Sequence, residues 1–170
     1  MRDIQRQMIM SDRSQFQILF PYHWHTASRL LDGAARLTQA DYTDNPGYGH
    51  GSIQDVFFHV LRTDQGWRIG LQTGRQATAM KPEAFPDLKS LQAGFESERR
   101  EWQMLLEELG EEEVQREMTL TNWRGDVLVL PRWRILQHVI LHGMQHHAEL
   151  AQLLTAKGQG PGNIDFLFYS

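Results

Sequence analysis

The sequence predicts an all-α four-helix bundle, with a small β-hairpin between the third and fourth helices. Two observations predict this class. Four stretches place apolar residues three, four or seven apart, the repeat of a helix with one buried face. One short region alternates apolar and polar residues around an Arg-Gly turn, the repeat of paired strands. At 170 residues the chain suits one domain spanning 1–170 and is long enough to bury a core. Residues 1–12 are expected as a flexible N-terminus and 158–170 as a C-terminal tail.

In the first helix Phe20, Trp24, Ala27, Leu31 and Ala34 recur at helical spacing, with Pro21 expected in its first turn. The following DYTDNPGYGHG is dense in turn residues and reads as a loop. Ser52 with Asp55 three residues on resembles a capping box, and Ile53, Val56, Phe57 and Val60 form the stripe of the second helix. That stripe fades between Gly70 and Gly74, and a linker with Pro82 and Pro86 follows. Leu88, Leu91, Phe95, Trp102, Leu105 and Leu109 mark the third helix, with Gly110 as its stop signal. MTLTNW and DVLVL flank Arg124-Gly125 as the hairpin. Pro131 opens the fourth helix, which runs to about Lys157 before Gly158, Gly160, Pro161 and Gly162 end it. The long connections permit parallel neighbours in the bundle.

Composition excludes several classes. There is no cysteine, so disulfides, thiolate ligands and a cysteine nucleophile are all ruled out. The net charge is −4 with no basic block, so no nucleic-acid partner is expected. No apolar run approaches the ~20 residues of a membrane span. The polar start MRDIQRQMIMSDRSQ lacks an apolar signal core, so the expectation is a cytoplasmic protein without membrane partners.

The fourth helix carries the chemistry. In LHGMQHHAEL three histidines occupy six positions. At about 100° per residue, His138, His142 and His146 follow one another along one face with Ile135, Val139, Leu150 and Leu153. Glu149 shares that face and His147 points elsewhere. The stripe is expected to look into the core. Two imidazoles one turn apart on an inward face suit a divalent ion, although HxxxH alone is equally read as a hydrogen-bonded structural pair. A third ligand must come from another helix. His59 is the best candidate and His23 its rival, while His25 and His50 read as helix-surface and loop residues.

HGSIQDVFFHV, with its mid-helix histidine, and HVILHGMQHHAELAQLLTAKG, with H-x3-H-x3-H, resemble the second and fourth helices of the DinB/YfiT-like family of metal-binding bundles. GPGNIDFLFY resembles that family's ending, and the likeness runs from FPYHWHTASRLL onward. The resemblance implies an up-down-down-up bundle and, position by position, a metal held by His59, His142 and His146. His138 then matches an additional upstream histidine outside the ligand set. Where many members read H-H-R, this chain has Gln145, His146 and His147, which preserves the ligand spacing.

Three neutral imidazoles suit zinc, nickel or iron and leave the ion's charge uncompensated. Such an ion activates a bound water or a bound thiol. The expected function is therefore a metal-dependent enzyme acting on a small-molecule substrate, as a thiol transferase or a hydrolase. Thiol transfer is slightly preferred, because the wider superfamily that the resemblance invokes includes thiol-using enzymes. Having no cysteine, the chain would need a low-molecular-weight thiol as cosubstrate. The alternative is a stress-linked metal or small-molecule binding bundle without turnover. Glu149 is the candidate general base or orienter of a ligand imidazole. Tyr22, His23, Trp24, Phe57, Trp67 and His138 are candidates to line the pocket. A second apolar line on the fourth helix, Leu136, Ile140, Ala151 and Leu154, predicts a two-fold homodimer unless the tail IDFLFYS covers it.

Overall fold

The computed structural model describes residues 12–77 and 80–169. Four long helices, α1 (Asp12–Ala34), α3 (Ile53–Thr73), α4 (Leu88–Glu108) and α6 (Arg132–Ala156), form the bundle. Short helices α2 (Gln39–Thr43) and α5 (Glu111–Gln115) lie in the connections, and β1 (Glu117–Thr121) pairs antiparallel with β2 (Val127–Pro131) before α6. No helix among the described residues is long and apolar enough to cross a membrane. The N-terminal expectation falls on residues 1–11, outside the described ones; Asp12 already belongs to α1.

Side-chain pairs fix the helix directions. Arg13 Nε donates to the Leu109 carbonyl at 2.7 Å, while Phe20 packs on Trp102 and Trp24 on Phe95, so α1 and α4 run antiparallel. Gln54 reaches the Phe85 carbonyl and Arg68 grips Glu98, so α3 and α4 run parallel. His59 meets His142 and Trp67 meets His138, so α3 and α6 are antiparallel. His23 stacks on His147 and Gly33 abuts Leu154, so α1 and α6 are parallel. The order is up-down-down-up.

Local sequence explains where the elements begin and end. Ser52 and Asp55 form a reciprocal capping box that starts α3, and Gly74 ends it in the left-handed conformation at φ 75°. Asp87 and Ser90 cap α4 in the same manner. The hairpin turns on Asn122, whose Oδ1 accepts from the Arg124 and Asp126 amides, with Gly125 at φ 89°. Leu120 is buried, and the Thr121 amide bonds to the Gly74 carbonyl at 2.9 Å, which docks the hairpin at the foot of α3.

Several expectations are corrected. Pro21 lies inside α1, not in its first turn, because the apolar stripe already includes Phe16 one turn earlier. Gly110 takes φ −76° as the N-cap of α5, so it does not close α4 as a left-handed stop. The loop after α1 contains α2, which buries Tyr42. The second apolar line of α6 is covered within the chain: Leu136, Ile140 and Leu154 are buried, and α6 packs on both α1 and α3. The tail does not cover it; it crosses α1, where Arg29 donates to the Pro161 and Asn163 carbonyls and Tyr22 to Ile164.

One polar contact ties three helices together. His23 on α1 and Asp64 on α3 are both fully buried, with His23 Nε2 2.9 Å from Asp64 Oδ2. The His23 ring occupies a notch on α6 that exists because residue 143 is glycine; a Cβ there would overlap the ring. Gly143→Ala should therefore destabilise the fold by about 1–3 kcal/mol, the range for overpacking a filled core. Urea denaturation reads this, and an unchanged midpoint would contradict the notch.

Candidate metal centre

The antiparallel register of α3 and α6 brings imidazoles from both helices to one place. His142 Nε2 lies 3.1 Å from His59 Nε2 and 3.2 Å from His146 Nε2. Neighbouring ligands of a tetrahedral ion with bonds of about 2.0–2.1 Å are separated by about 3.3 Å, so these spacings fit one ion. Hydrogen bonding alone fits them less well. A ring nitrogen carries either one proton or one lone pair, so His142 Nε2 cannot pair fully with two neighbouring ring nitrogens at once. A cation accepting all three lone pairs removes the conflict.

A fourth histidine belongs to the group. His50, in the loop before α3, stacks on His59 with centroids 4.9 Å apart and meets His146 edge-on at 4.4 Å. One ring nitrogen each of His50, His59 and His146 lies within 4.8 Å of the others. Two overlapping sets of three thus share His59 and His146, completed by either His142 or His50. His142 is anchored on α6 and approaches both shared rings directly, whereas His50 comes from the loop. His50 lies in the loop expected from the sequence, and that loop folds back onto Glu149 of α6. The adjacent glycines in GHGS were the available signal.

Glu149 binds the set together. Its Oε2 lies 2.9 Å from His146 Nδ1 and 3.0 Å from His50 Nδ1, while Oε1 accepts the His50 amide at 2.7 Å. Burial alone would raise this carboxyl; the His50 amide and the His146 and His50 rings outweigh burial and hold it below the ordinary range. A carboxylate at Nδ1 takes that nitrogen's proton in a hydrogen bond and turns the Nε2 lone pair toward the cluster.

The other expected residues are distributed elsewhere. His138 sits one turn before His142, with ring centroids 5.8 Å apart, but it is exposed and does not look into the core. With Trp67, Leu128, Leu130 and Ile135 it borders a small pocket of about 310 Å³. His147, expected to point away from the core, is fully buried against His23, because α6 has a second covered side facing α1. His23 is not a rival ligand: its Nε2 is engaged by Asp64. Tyr22 lies under the tail against Phe166 and Tyr169, and Phe57 is in the core. Trp24 borders a groove of about 810 Å³ between α1 and α4 that shares no residue with the histidine cluster.

The model of the DinB family matches residues 10–170. The chain belongs to the DinB family. Two solved Bacillus subtilis structures are similar to it. YfiT, described as a probable metal-dependent hydrolase with an unusual four-helix bundle topology, superposes with TM-score 0.67 at 14% identity, covering 86% of this chain and 89% of its own. YjoA, a DinB-like protein, superposes with TM-score 0.59 at 19% identity, covering 84% of this chain and 92% of its own. No curated protein matches the chain. At such identities the two structures establish a shared DinB fold.

Burial keeps two rings of the cluster, His59 and His142, uncharged. Burial pushes His59 down to about 4, helped by His146, His50 and Arg62 and opposed by Glu149. Burial pushes His142 down to about 3, helped by His146, His59, His138 and His23. Neutral rings keep their lone pairs available for a cation. The unfolded chain takes up protons below about pH 6.5, where the folded metal-free protein does not. The stability of the metal-free protein should be complete above that pH and fall as pH drops from about 6.5 toward 4. Urea midpoints measured from pH 8 to pH 4.5 test this, and a flat profile would contradict it.

Proposed function

We propose that the protein is a divalent-metal-dependent enzyme that activates a small nucleophile, water first, for attack on a small-molecule substrate. The observation that carries this reading is the approach of His142 Nε2 to His59 Nε2 and to His146 Nε2, at 3.1 and 3.2 Å. A divalent ion held there supplies Lewis-acid activation, lowering the pKa of bound water from 15.7 toward ~7. All three groups are neutral donors, so none offsets the charge of the ion. Glu149, 2.9 Å from His146 Nδ1, fixes the tautomer of that ring. The pocket bordered by Trp67, Leu128, Leu130 and His138 adjoins His142 through His138, and we assign it to the apolar part of the substrate. Similarity of fold to YfiT favours hydrolysis over thiol transfer. The same centre accepts a low-molecular-weight thiol in place of water, so both nucleophiles belong in the test.

Metal-free and metal-loaded protein should be compared on esters, amides and thiol–electrophile pairs. Turnover is expected only with metal, and His142→Ala should abolish it while retaining helicity. Equal rates with and without metal across the panel would overturn the enzyme reading in favour of a binding bundle.

Glu149→Gln tests the orienting role. Metal affinity should weaken about 10–100-fold, the usual cost of removing a carboxylate behind a ligand imidazole. Unchanged affinity with turnover slowed about 10²–10⁴-fold would instead make Glu149 the general base.

A further inference from the structure

The DinB ligand set is accounted for by two helices, yet a third element reaches the same point. We infer that His50 is a fourth, loop-borne ligand of the ion held by His59, His142 and His146, and that it yields its position to the nucleophile or substrate. This inference rests on the metal reading above.

The loop is built to place this ring. Gly49 takes φ 63°, which L side chains rarely adopt, and a Cβ on it would push Glu149 Oε1 out of its place beside the loop. Gly51 takes φ 98° and packs against Asp55, the carboxylate of the α3 capping box. His50 is therefore fastened on one side to the start of α3 and on the other to Glu149 of α6. Its amide donates to Oε1 at 2.7 Å and its Nδ1 lies 3.0 Å from Oε2. Glu149 thus serves two imidazoles in the same way, since His146 Nδ1 also lies 2.9 Å from Oε2. With Nδ1 occupied, Nε2 is the nitrogen left to carry the lone pair of His50. The ring stacks on His59 and brings one ring nitrogen within 4.8 Å of a ring nitrogen of His59 and of one of His146.

The arrangement also explains why this ligand leaves. His59, His142 and His146 stand on long helices, whereas the His50 side chain is 43% exposed on a loop with left-handed glycines at 47, 49 and 51. Four imidazoles would close a tetrahedral site, and a catalytic ion needs an open position. A ligand on the exposed loop can move aside without disturbing the helices. At rest it would shield the ion from stray anions and tighten its binding.

Cobalt(II) is the probe, because its visible spectrum reports the number and kind of ligands. The full chain should bind one cobalt with a spectrum that His142→Ala abolishes. His50→Ala should still bind one cobalt, with affinity lowered about 10–100-fold, a loss at least as large as removal of an outer support causes. Its spectrum should shift, azide should bind it more tightly than the wild-type protein, and added imidazole should restore the wild-type spectrum. Gly49→Ala, which keeps His50 but forces the loop off Glu149, should reproduce the shifted spectrum. If the wild-type protein binds no cobalt through His142, the metal reading falls and this inference with it. If the wild-type protein binds cobalt but His50→Ala matches its spectrum and its azide affinity, His50 is not a ligand and the metal reading stands.

Discussion

An imidazole removed from water needs partners for its ring nitrogens, and this bundle is organised around that need. Helix α6 is buried on two sides and carries histidines on both. Toward α1, His23 enters the notch at Gly143, stacks on His147, and pairs with Asp64 of α3. Toward α3, His142 and His146 meet His59. The first arrangement is a packed polar joint among three helices. The second gathers lone pairs that a cation satisfies better than hydrogen bonds do. Both depend on the antiparallel register of α3 and α6, because Asp64 and His59 sit little more than one turn apart on the same helix.

Glu149 connects this register to the loop before α3. One carboxylate receives the Nδ1 sides of a buried helical histidine and an exposed loop histidine. The Ser52–Asp55 box begins α3 immediately after this loop, so the cap that ends the loop also sets where His59 points.

Periodicity made the four long helices legible, along with the Ser52 cap and the hairpin. The short helices α2 and α5 were not, since five residues hold too little of the apolar repeat to be recognised. The His142 and His146 pair was visible in its spacing, and family likeness supplied His59. A wheel with one inward face misplaced His147 and His138: α6 is covered by α1 as well as α3, so a residue about 100° from the cluster is buried too. His138 lies toward the hairpin end and is exposed. His50 was hidden for another reason. Its place depends on a loop folding onto a carboxylate 99 residues away, a contact that no local pattern encodes.

Anomalous diffraction from crystals of the zinc-loaded protein, recorded on both sides of the zinc absorption edge, should show one strong peak about 2.0–2.1 Å from the Nε2 atoms of His59, His142 and His146. No peak among these three nitrogens, with zinc found only at scattered surface histidines, would contradict a shared site for these rings.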